Sequence, residues 1–467
     1  MNFTSLRVLG IGVAALMSTL ANADFRIVAP TQNSHSVGRF LRLEIAGCKP
    51  WWGEPNLTVQ LNGQSQELTW DPLLYSGRWT AALPLLPEGK HEIEISGHCS
   101  WHRSSVQSVF HVDRVFSIEP ARELARHVMG KAAADAMNWE WGEAIFLEGL
   151  LRLDTVLDRK SDYIRAYHEH WAHVGIPKVD RSDLCPSALT ALGLIQKEND
   201  WVGVNSLAEV SAYLKGEPRN ALGALNHLGS SWLNTFFPRS IWVDSLMMYG
   251  VLAVRWGDYS NDHELKEFGL NQIPAFASVL QDSKTGLFRH AWLSDSGGVL
   301  PESETYWLRG NSWVLASIAE MLDHVDLGSP RAAELIRIFR KLADGLIAYQ
   351  QPSGLWDSIA NLPGYLYTET SGTSLVAYAL IKGVRYGWLP PEYLEPAQKA
   401  LNAVTSRMLP ESDGVSMPSI SGATNAGPRW LYVTVSRVKN AYYGVGMYLL
   451  ASTEMAKLQL EKLPRRE

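Results

Sequence analysis

The hydrophobic pattern divides the chain into two regions with different periods. Within residues 24–116, short stretches alternate between apolar and polar residues, as in 57–61 and 91–95, and turns recur every eight to twelve residues. Asn62-Gly63 is a hairpin-type turn directly after the first of these stretches. Regular short strands of this kind predict an immunoglobulin-like β-sandwich over 24–116.

From residue 117 onward the apolar positions recur with a helical period instead. Twelve amphipathic segments cover 119–134, 143–157, 161–174, 186–197, 205–216, 242–256, 264–280, 313–324, 331–350, 372–386, 391–408 and 440–458. No strand is predicted between them. An even number of helices at this spacing favours a toroid of helical hairpins, so the prediction is a mainly α protein with an (α/α)6 barrel at 117–460. A generic helical solenoid is the alternative, although no repeat signature is present.

Long loops rich in glycine, proline and polar residues interrupt the helical region, and such loops are usually functional. They cover 218–241, 281–306, 352–370 and 410–438. Polar and aromatic segments fall at the start of every second helix, where the N-termini of an inner ring would open at one end. These segments are 139–143, Asp183, 242–244, 307–311, 369–373 and 440–444. We therefore expect them to converge on one pocket.

Residues 1–23 are expected to be a secretory signal peptide. Arg7 supplies the positive charge, 8–20 the apolar stretch and 21–23 a small-residue cleavage site. An uncleaved membrane anchor is the alternative, but the apolar stretch is shorter than the ~20 residues needed to span a bilayer. No later stretch is long and apolar enough to span, so a periplasmic or secreted protein without membrane attachment is predicted.

Composition and cysteine usage fit an exported globular protein. Apolar residues make up 46% of the chain and charged residues 19%. The chain has 42 basic and 48 acidic residues without basic runs, which argues against nucleic-acid binding. Cys48 and Cys99 could form a disulfide. Cys185 could be a nucleophile, but a small buried apolar residue is the favoured interpretation.

The chemistry of the converging segments suits a sugar better than a phosphate or a metal. The chain has 18 tryptophans, more than its 17 tyrosines or 12 phenylalanines. Aromatic rings pack on the apolar face of a pyranose, while carboxylates, amides and guanidinium groups bind its hydroxyls. No metal-binding motif, phosphate-binding glycine loop or GxSxG motif is present, so no metal and no cofactor is expected.

Two aspartates are candidates for acid–base chemistry. Asp244 lies at the start of an otherwise apolar helix, and its apolar neighbours are expected to raise the pKa of its carboxyl group. Stabilisation of an ordinary carboxylate by the helix dipole is the alternative. Asp183 is the second candidate, although it could simply cap the helix that follows Pro186.

Two cationic side chains are candidates for ligand contacts. His290 lies in a loop, which favours a contact role over core packing. A carboxylate ligand would suit Arg309, because guanidinium can bind it bidentately. A buried ion pair of Arg309 with Glu302 or Glu304 is the alternative.

Four motifs resemble, in order and with helical spacing, those of the unsaturated glycuronyl hydrolases of glycoside hydrolase family 105, near neighbours of family 88. They are Trp242-Val243-Asp244-Ser245-Leu246, Gly286-Leu287-Phe288-Arg289-His290-Ala291-Trp292, Trp307-Leu308-Arg309-Gly310-Asn311-Ser312-Trp313 and Glu369-Thr370-Ser371-Gly372-Thr373. The segment 139–143 is similar to the opening motif of the family, and the resemblance covers about 120–460. It implies an (α/α)6 barrel and, as partner, an oligosaccharide with a 4,5-unsaturated uronic acid at its non-reducing end.

The resemblance also implies a mechanism in which the double bond is hydrated. Asp244 would protonate C4 and then, as a carboxylate, activate the water that adds at C5; the resulting hemiketal rearranges and releases the neighbouring sugar. Asp183 would bind ring hydroxyls. The residues expected to line the sugar and its carboxylate are Trp141, Trp242, His290, Trp292, Trp307, Arg309 and Asn311.

The chain departs from the motifs at two places. Leu308 and Ser312 replace small glycines of the usual motif, and the stretch 234–238 lacks an expected histidine. Two other functions stay open. A polysaccharide lyase would use Tyr306, with His290 and Arg309, and a non-catalytic sugar-binding protein would need only the aromatic pocket.

Overall fold

The computed structural model describes residues 25–37, 41–48, 55–73, 77–99, 103–113 and 116–462. The expected signal peptide lies outside these ranges, and so do Trp51, Trp52 and Trp101 of the N-terminal region. No helix among the described residues combines the length and apolar character that crossing a membrane requires.

Nine strands form two sheets in the described part of the N-terminal region. They are β1 (Arg26–Ala29), β2 (His35–Val37), β3 (Arg42–Ala46), β4 (Asn56–Leu61), β5 (Gln64–Gln66), β6 (Asp71–Leu73), β7 (Arg78–Ala82), β8 (Gly89–His98) and β9 (Arg103–Asp113). The sheet orders are β1-β3-β7-β6 and β2-β9-β8-β4-β5. The pair β2 and β9 is parallel, and the other pairs are antiparallel.

Both sheets contribute to one buried apolar cluster, because alternate residues of a strand point to the same side. Leu43 and Ile45 of β3 and Ile93 and Ile95 of β8 are fully buried in this cluster. The two sheets therefore share a core.

The described tryptophans and cysteines of the N-terminal region belong to that core. Trp70 and Trp79 are buried, and the Trp79 Nε1–H donates to the Cys48 carbonyl over 3.0 Å. Cys48 forms a disulfide with Cys99, with a Cα–Cα distance of 4.8 Å. Cys185 is free and buried, which agrees with its interpretation as an apolar residue.

Thirteen α-helices follow within the described residues. They are α1 (Glu119–Met129), α2 (Trp141–Val156), α3 (Asp162–Val174), α4 (Ser187–Glu198), α5 (Val204–Gly216), α6 (Val251–Tyr259), α7 (His263–Leu280), α8 (Leu308–Met321), α9 (Pro330–Ile347), α10 (Thr370–Arg385), α11 (Leu394–Thr405), α12 (Arg429–Thr434) and α13 (Tyr442–Lys462). Each of the twelve predicted segments corresponds to one helix, and α12 is an additional short helix in the loop 410–438. Asp262 and Ser329 cap α7 and α9 by accepting bonds from backbone N–H groups.

Short strands within the loops correct the prediction that no strand lies among the helices. They are β10 (Ser240–Trp242), β11 (Ala291–Leu293), β12 (Val299–Leu300), β13 (Trp356–Asp357), β14 (Thr368–Glu369), β15 (Leu409–Glu411), β16 (Gly414–Ser416), β17 (Ile420–Ser421) and β18 (Arg437–Val438). The first three form an antiparallel sheet, and the others form antiparallel pairs. Two or three residues are too few to produce a readable alternation, so the sequence pattern missed them.

Alternate helices form a closed circuit of contacts. Helices α2, α4, α6, α8, α10 and α13 each contact the next, and α13 also packs against α2. Every residue of α8 is buried, whereas the intervening α9 has an exposed face. The circuit therefore lies inside, and α1, α3, α5, α7, α9 and α11 pack against it.

Five charged side chains of the inner helices meet away from the helix starts, and we call them the basal cluster. They are Glu148, Arg152, Arg255, Glu320 and Lys382. Arg152 Nη2 lies 2.8 Å from Glu148 Oε1 and 3.0 Å from Glu320 Oε2. Arg255 Nη1 lies 2.9 Å from Glu148 Oε1, and Lys382 Nζ lies 3.0 Å from Glu320 Oε1. Positive and negative groups alternate in space, so each buried charge has an opposite partner.

Candidate active site

The strand pair β10 and β11 places Asp244 beside His290. The two strands are antiparallel and Trp242 is paired with Ala291, so Val243, which follows Trp242, lies beside His290, which precedes Ala291. The Val243 N–H donates to the His290 carbonyl over 2.9 Å. The chain then enters a π-helical turn at Leu246–Gly250 that continues into α6. Asp244 therefore lies where a strand changes into a helix, with its carboxylate facing the His290 ring.

A chain of hydrogen bonds runs through His290. Its Nε2 lies 2.9 Å from Asp244 Oδ2, and its Nδ1 lies 2.8 Å from the Tyr432 hydroxyl. The Gly427 N–H donates to the same hydroxyl over 3.3 Å. His290 and Tyr432 are buried, and Asp244 is half-buried.

The directions of these bonds fix the form of the imidazole. An ionised carboxylate oxygen can only accept, so His290 carries its hydrogen on Nε2 and donates it to Asp244 Oδ2. Nδ1 of the neutral imidazole is then an acceptor, and the Tyr432 hydroxyl donates to it. Oδ1 of Asp244 accepts no bond from the described residues, so it is the oxygen left for a ligand.

The pKa of Asp244 is lowered, contrary to the prediction from its apolar neighbours. Burial by itself raises the pKa of this carboxyl group, but His290 and, more weakly, His227 and Arg309 outweigh burial. For His290, burial lowers the pKa despite the nearby carboxylate, which fits a neutral imidazole. The prediction was wrong because these partners come from distant parts of the sequence.

A second carboxylate–imidazole pair lies beside the first. His227 Nε2 lies 3.3 Å from Asp183 Oδ1, and His227 Nδ1 lies 2.9 Å from the hydroxyl of Ser245, the residue after Asp244. Burial disfavours charge on this imidazole, but Asp183 outweighs it and raises the pKa of His227. Asp183 lies on the short 3-10 turn Ser182–Leu184 before α4.

His227 precedes the stretch 234–238, in which the expected histidine is absent. Its ring stacks on Trp242 with a centroid distance of 4.3 Å. Sequence reasoning missed His227 because its position beside Trp242 depends on the fold and not on the spacing in the sequence. The His227 N–H donates to the Ser240 carbonyl at the start of β10 over 2.8 Å.

Aromatic rings pack against His290, the partner of Asp244. The ring of His290 lies 5.4 Å from that of Trp242 and 4.5 Å from that of Trp307. Trp141 at the start of α2 lies 4.5 Å from the Tyr443 ring at the start of α13. This contact connects the first turns of two inner helices, as expected for segments that converge.

Arg309 lies beneath these rings. Its guanidinium carbon is 4.5 Å from the Trp307 ring and 4.9 Å from the Tyr443 ring. Nη1 and Nη2 donate to the carbonyls of Ser421 and Gly422 over 2.7 and 2.9 Å. Its Nε is buried without a partner among the described residues. Arg309 therefore has backbone partners and not the ion pair with Glu302 or Glu304 that was the alternative to a ligand contact.

Two other predicted residues have different surroundings. Asn311 is buried, and its amide exchanges bonds with the Phe288 backbone and donates to the Trp307 carbonyl. Asn311 therefore holds the segment that carries His290 and has no amide N–H pointing to open space in this structure. Trp292 is half-buried and lies in β11 opposite Ile241.

Glu369 supports the site from the N-cap position of α10, at the end of β14. It is fully buried, and Oε1 accepts from the N–H groups of Ser371 and Ser421 over 2.8 and 3.0 Å. Oε2 accepts from the Gly372 N–H over 2.5 Å. Among the described residues, no group of three or more His, Cys, Asp or Glu side chains could hold a metal ion.

Inner helices that begin at carboxylates and aromatic rings form a site suited to a carbohydrate. The sequence model of Glycosyl Hydrolase Family 88 matches residues 120–459. The chain belongs to this family and is a glycoside hydrolase. The resemblance seen in the four motifs is thereby confirmed.

Individual relatives agree with this assignment. The unsaturated rhamnogalacturonyl hydrolase YesR of Bacillus subtilis is 25% identical over 351 residues, which are 74% of this chain and 98% of that enzyme. An unsaturated 3S-rhamnoglycuronyl hydrolase of an Alteromonas species is 27% identical over 220 residues, 46% of this chain and 51% of that enzyme. A crystal structure described as a possible member of the GH105 family, from Klebsiella pneumoniae, has a TM-score of 0.66 and 21% identity over 74% of this chain and 95% of that one. This last likeness identifies the fold as an α/α toroid.

Proposed function

We propose that the protein removes a 4,5-unsaturated uronic acid from the non-reducing end of oligosaccharides that polysaccharide lyases generate. The observation that carries this proposal is the Asp244 carboxyl group, held by His290 among tryptophan rings in a family 88 chain. The names of the rhamnogalacturonyl and rhamnoglycuronyl hydrolases support the same class of substrate.

In this proposal Asp244 acts first as an acid and then as a base. Oδ1 gives a proton to C4 of the unsaturated ring, and the carboxylate then takes a proton from the water that adds at C5. The hemiketal formed at C5 opens and releases the neighbouring sugar. The bond from His290 occupies Oδ2 throughout, so Oδ1 is the oxygen that carries the proton.

The lowered pKa of Asp244 has a consequence for the first step. In the free protein this carboxyl group is ionised at neutral pH. The substrate brings its own carboxylate into the pocket and displaces water, and both changes favour the protonated form. Asp244 therefore takes up its proton when the substrate binds.

The remaining predicted residues have supporting roles. Asp183, held by His227, is proposed to bind ring hydroxyls, and Trp141, Trp242, Trp292 and Trp307 to contact the sugar. The positive charge of the buried Arg309 guanidinium is proposed to attract the uronate carboxylate. His290 orients Asp244. Asn311 is proposed to act indirectly, because it binds the Phe288 backbone and so holds the segment that carries His290.

Replacement of Tyr432 by phenylalanine is expected to lower kcat about tenfold with little change in KM, the effect of one lost hydrogen bond. Phenylalanine keeps the ring beside Trp307 but removes the donor to Nδ1, so His290 can adopt the other form and present a lone pair to Asp244. Steady-state kinetics of Tyr432→Phe, with the exposed Tyr365→Phe as control, measure this. An unchanged kcat in Tyr432→Phe would contradict the assigned bond directions.

The lyase alternative finds less support in the geometry. Tyr306, its candidate base, lies under the Arg289 guanidinium at 4.8 Å, while His290 contacts Asp244 and Tyr432 instead.

One assay separates the functions, because an unsaturated uronate absorbs in the near ultraviolet. With unsaturated disaccharides from several lyases, the hydrolase lowers this absorbance. A rise in absorbance with intact polysaccharide would indicate a lyase. Unchanged absorbance with both kinds of substrate would indicate a non-catalytic sugar-binding protein.

We propose the finer architecture as follows: a signal peptide at 1–23, an immunoglobulin-like β-sandwich at 24–116 and an (α/α)6 barrel at 117–460. The shared core of the two sheets supports the sandwich, and the circuit of six inner helices supports the barrel. A periplasmic or secreted location is proposed, which the disulfide between Cys48 and Cys99 supports.

A further inference from the structure

A buried ion cluster joins the N-terminal sheets to the helical region. Glu44 on β3 has no exposed surface, although a carboxylate without partners would be costly to bury. Arg78 on β7 lies 3.2 Å from Glu44 Oε1, and Arg407, just after α11, binds Oε2. Arg407 also donates to the Ala403 carbonyl over 2.7 Å.

Arg78 has a second partner beyond the cluster. Its Nη1 donates to the Thr368 hydroxyl over 3.0 Å. Thr368 is buried in the two-residue strand β14, and its neighbour in that strand is Glu369. A side chain of the N-terminal region thus binds the strand that leads into the active-site end of α10.

Glu369 connects strand β14 to Arg309 through the backbone of Ser421. Its Oε1 accepts from the Ser421 N–H, and the Ser421 carbonyl accepts from Arg309 Nη1 over 2.7 Å and from the Tyr443 hydroxyl over 2.6 Å. The same segment is held a second time, because the Thr370 N–H donates to the Ser419 carbonyl over 3.1 Å. Within the described residues, the side chains of Thr368 and Glu369 connect Arg78 to the segment 416–422, whose Ser421 carbonyl binds Arg309.

The ion cluster is not needed merely to attach the N-terminal region to the helical region. Thr31 already docks the N-terminal region, since its N–H donates to the Ser406 carbonyl over 2.8 Å and its hydroxyl binds the carbonyls of Ser406 and Met408. An apolar contact would also be less costly than a buried ionic one, and buried ionic groups are better suited to fixing one geometry.

We infer that the N-terminal β region is part of the active-site support, and that Arg78 is a positioning residue that holds strand β14 and, through Glu369, the segment 416–422 that orients Arg309. This inference rests on the proposed function for its catalytic readout. Its structural readout does not depend on the substrate.

Hydrogen–deuterium exchange of the full chain tests the structural part. In Arg78→Met, which leaves Glu44 paired with Arg407, exchange of the amides in 416–422 is expected to accelerate at least tenfold. Arg78→Lys can still reach Thr368 and should restore much of the protection. Arg42→Met is the matched control, because both side-chain bonds of Arg42 stay within the N-terminal sheets.

Thr368→Val keeps the ion cluster intact and removes only the acceptor of the Arg78 bond. It is expected to accelerate exchange in 416–422 as Arg78→Met does, while exchange in the helices stays unchanged. Unchanged exchange of 416–422 in Thr368→Val would overturn the inference, even if Arg78→Met failed to fold.

The kinetic part follows from the role of Arg309 in binding. In Arg78→Met and Thr368→Val, KM for an unsaturated disaccharide is expected to rise about five- to tenfold, as for one lost hydrogen bond, with kcat within twofold. A fall in kcat with unchanged KM would contradict the assigned role. If the wild-type protein were inactive on all such substrates, the proposed function would fail while the exchange experiment still decided the inference.

Discussion

Asp244→Asn is expected to lower kcat about a thousandfold, because it removes the group that both donates and accepts the proton. Asparagine has nearly the same shape, and its carbonyl oxygen can still accept from His290 Nε2. The fold and KM should therefore change little. The rate of absorbance loss with an unsaturated disaccharide, measured under saturating substrate, gives kcat directly.

The control for this variant is Asp162→Asn, which changes an exposed aspartate in the first turn of α3. Full activity is expected of it. Retention of activity in Asp244→Asn would move the acid–base role to another residue. Asp183 would be the next to test, since it lies in the neighbouring carboxylate–imidazole pair.

Glu320→Gln is expected to lower the free energy of unfolding by about 3–5 kcal/mol, the usual cost of removing one partner of a buried ion pair. The basal cluster would keep Arg152 and Lys382 buried with one fewer negative charge. Guanidinium unfolding at pH 7 measures this cost. Glu169→Gln, which removes an exposed pair with Arg165, should cost about 0–1 kcal/mol.

The pH dependence of the Glu320 contribution follows from the sign of its shift. Burial raises the pKa of this carboxyl group, but Lys382, Arg152 and Arg255 outweigh burial and hold it well below its usual value. Its stabilisation is therefore complete above the unfolded value of about 4.3 and is lost as the pH falls towards the lower folded value. The difference between wild type and Glu320→Gln should shrink below about pH 4. A constant difference from pH 7 to pH 3 would contradict this interpretation of the cluster.

Local periodicity was sufficient to predict the helices, because each inner and outer helix carries an apolar stripe or a fully apolar surface. It also located the converging segments, since Trp141, Asp183, Asp244 and Arg309 each lie at or just before the start of an inner helix. Such positions can be read from sequence because helix starts are local features.

Contacts between distant segments could not be read in the same way. The pKa of Asp244 depends on His290, 46 residues later, and the bond between His290 and Tyr432 spans 142 residues. His227 was missed because nothing in its local sequence distinguishes it from an ordinary loop histidine. The carbonyl partners of Arg309 belong to backbone, which carries no sequence signal.

The contact between α2 and α13 also constrains how the protein is made. These helices pack side by side, yet almost the whole helical region lies between them in the sequence. While the chain leaves the ribosome, the face of α2 that α13 will cover has no partner, and closure of the circuit must await the synthesis of α13. Such late, long-range closure slows folding and leaves apolar surface accessible to chaperones for the longest time. A chain that stops before α13 would expose this face permanently and is expected to aggregate.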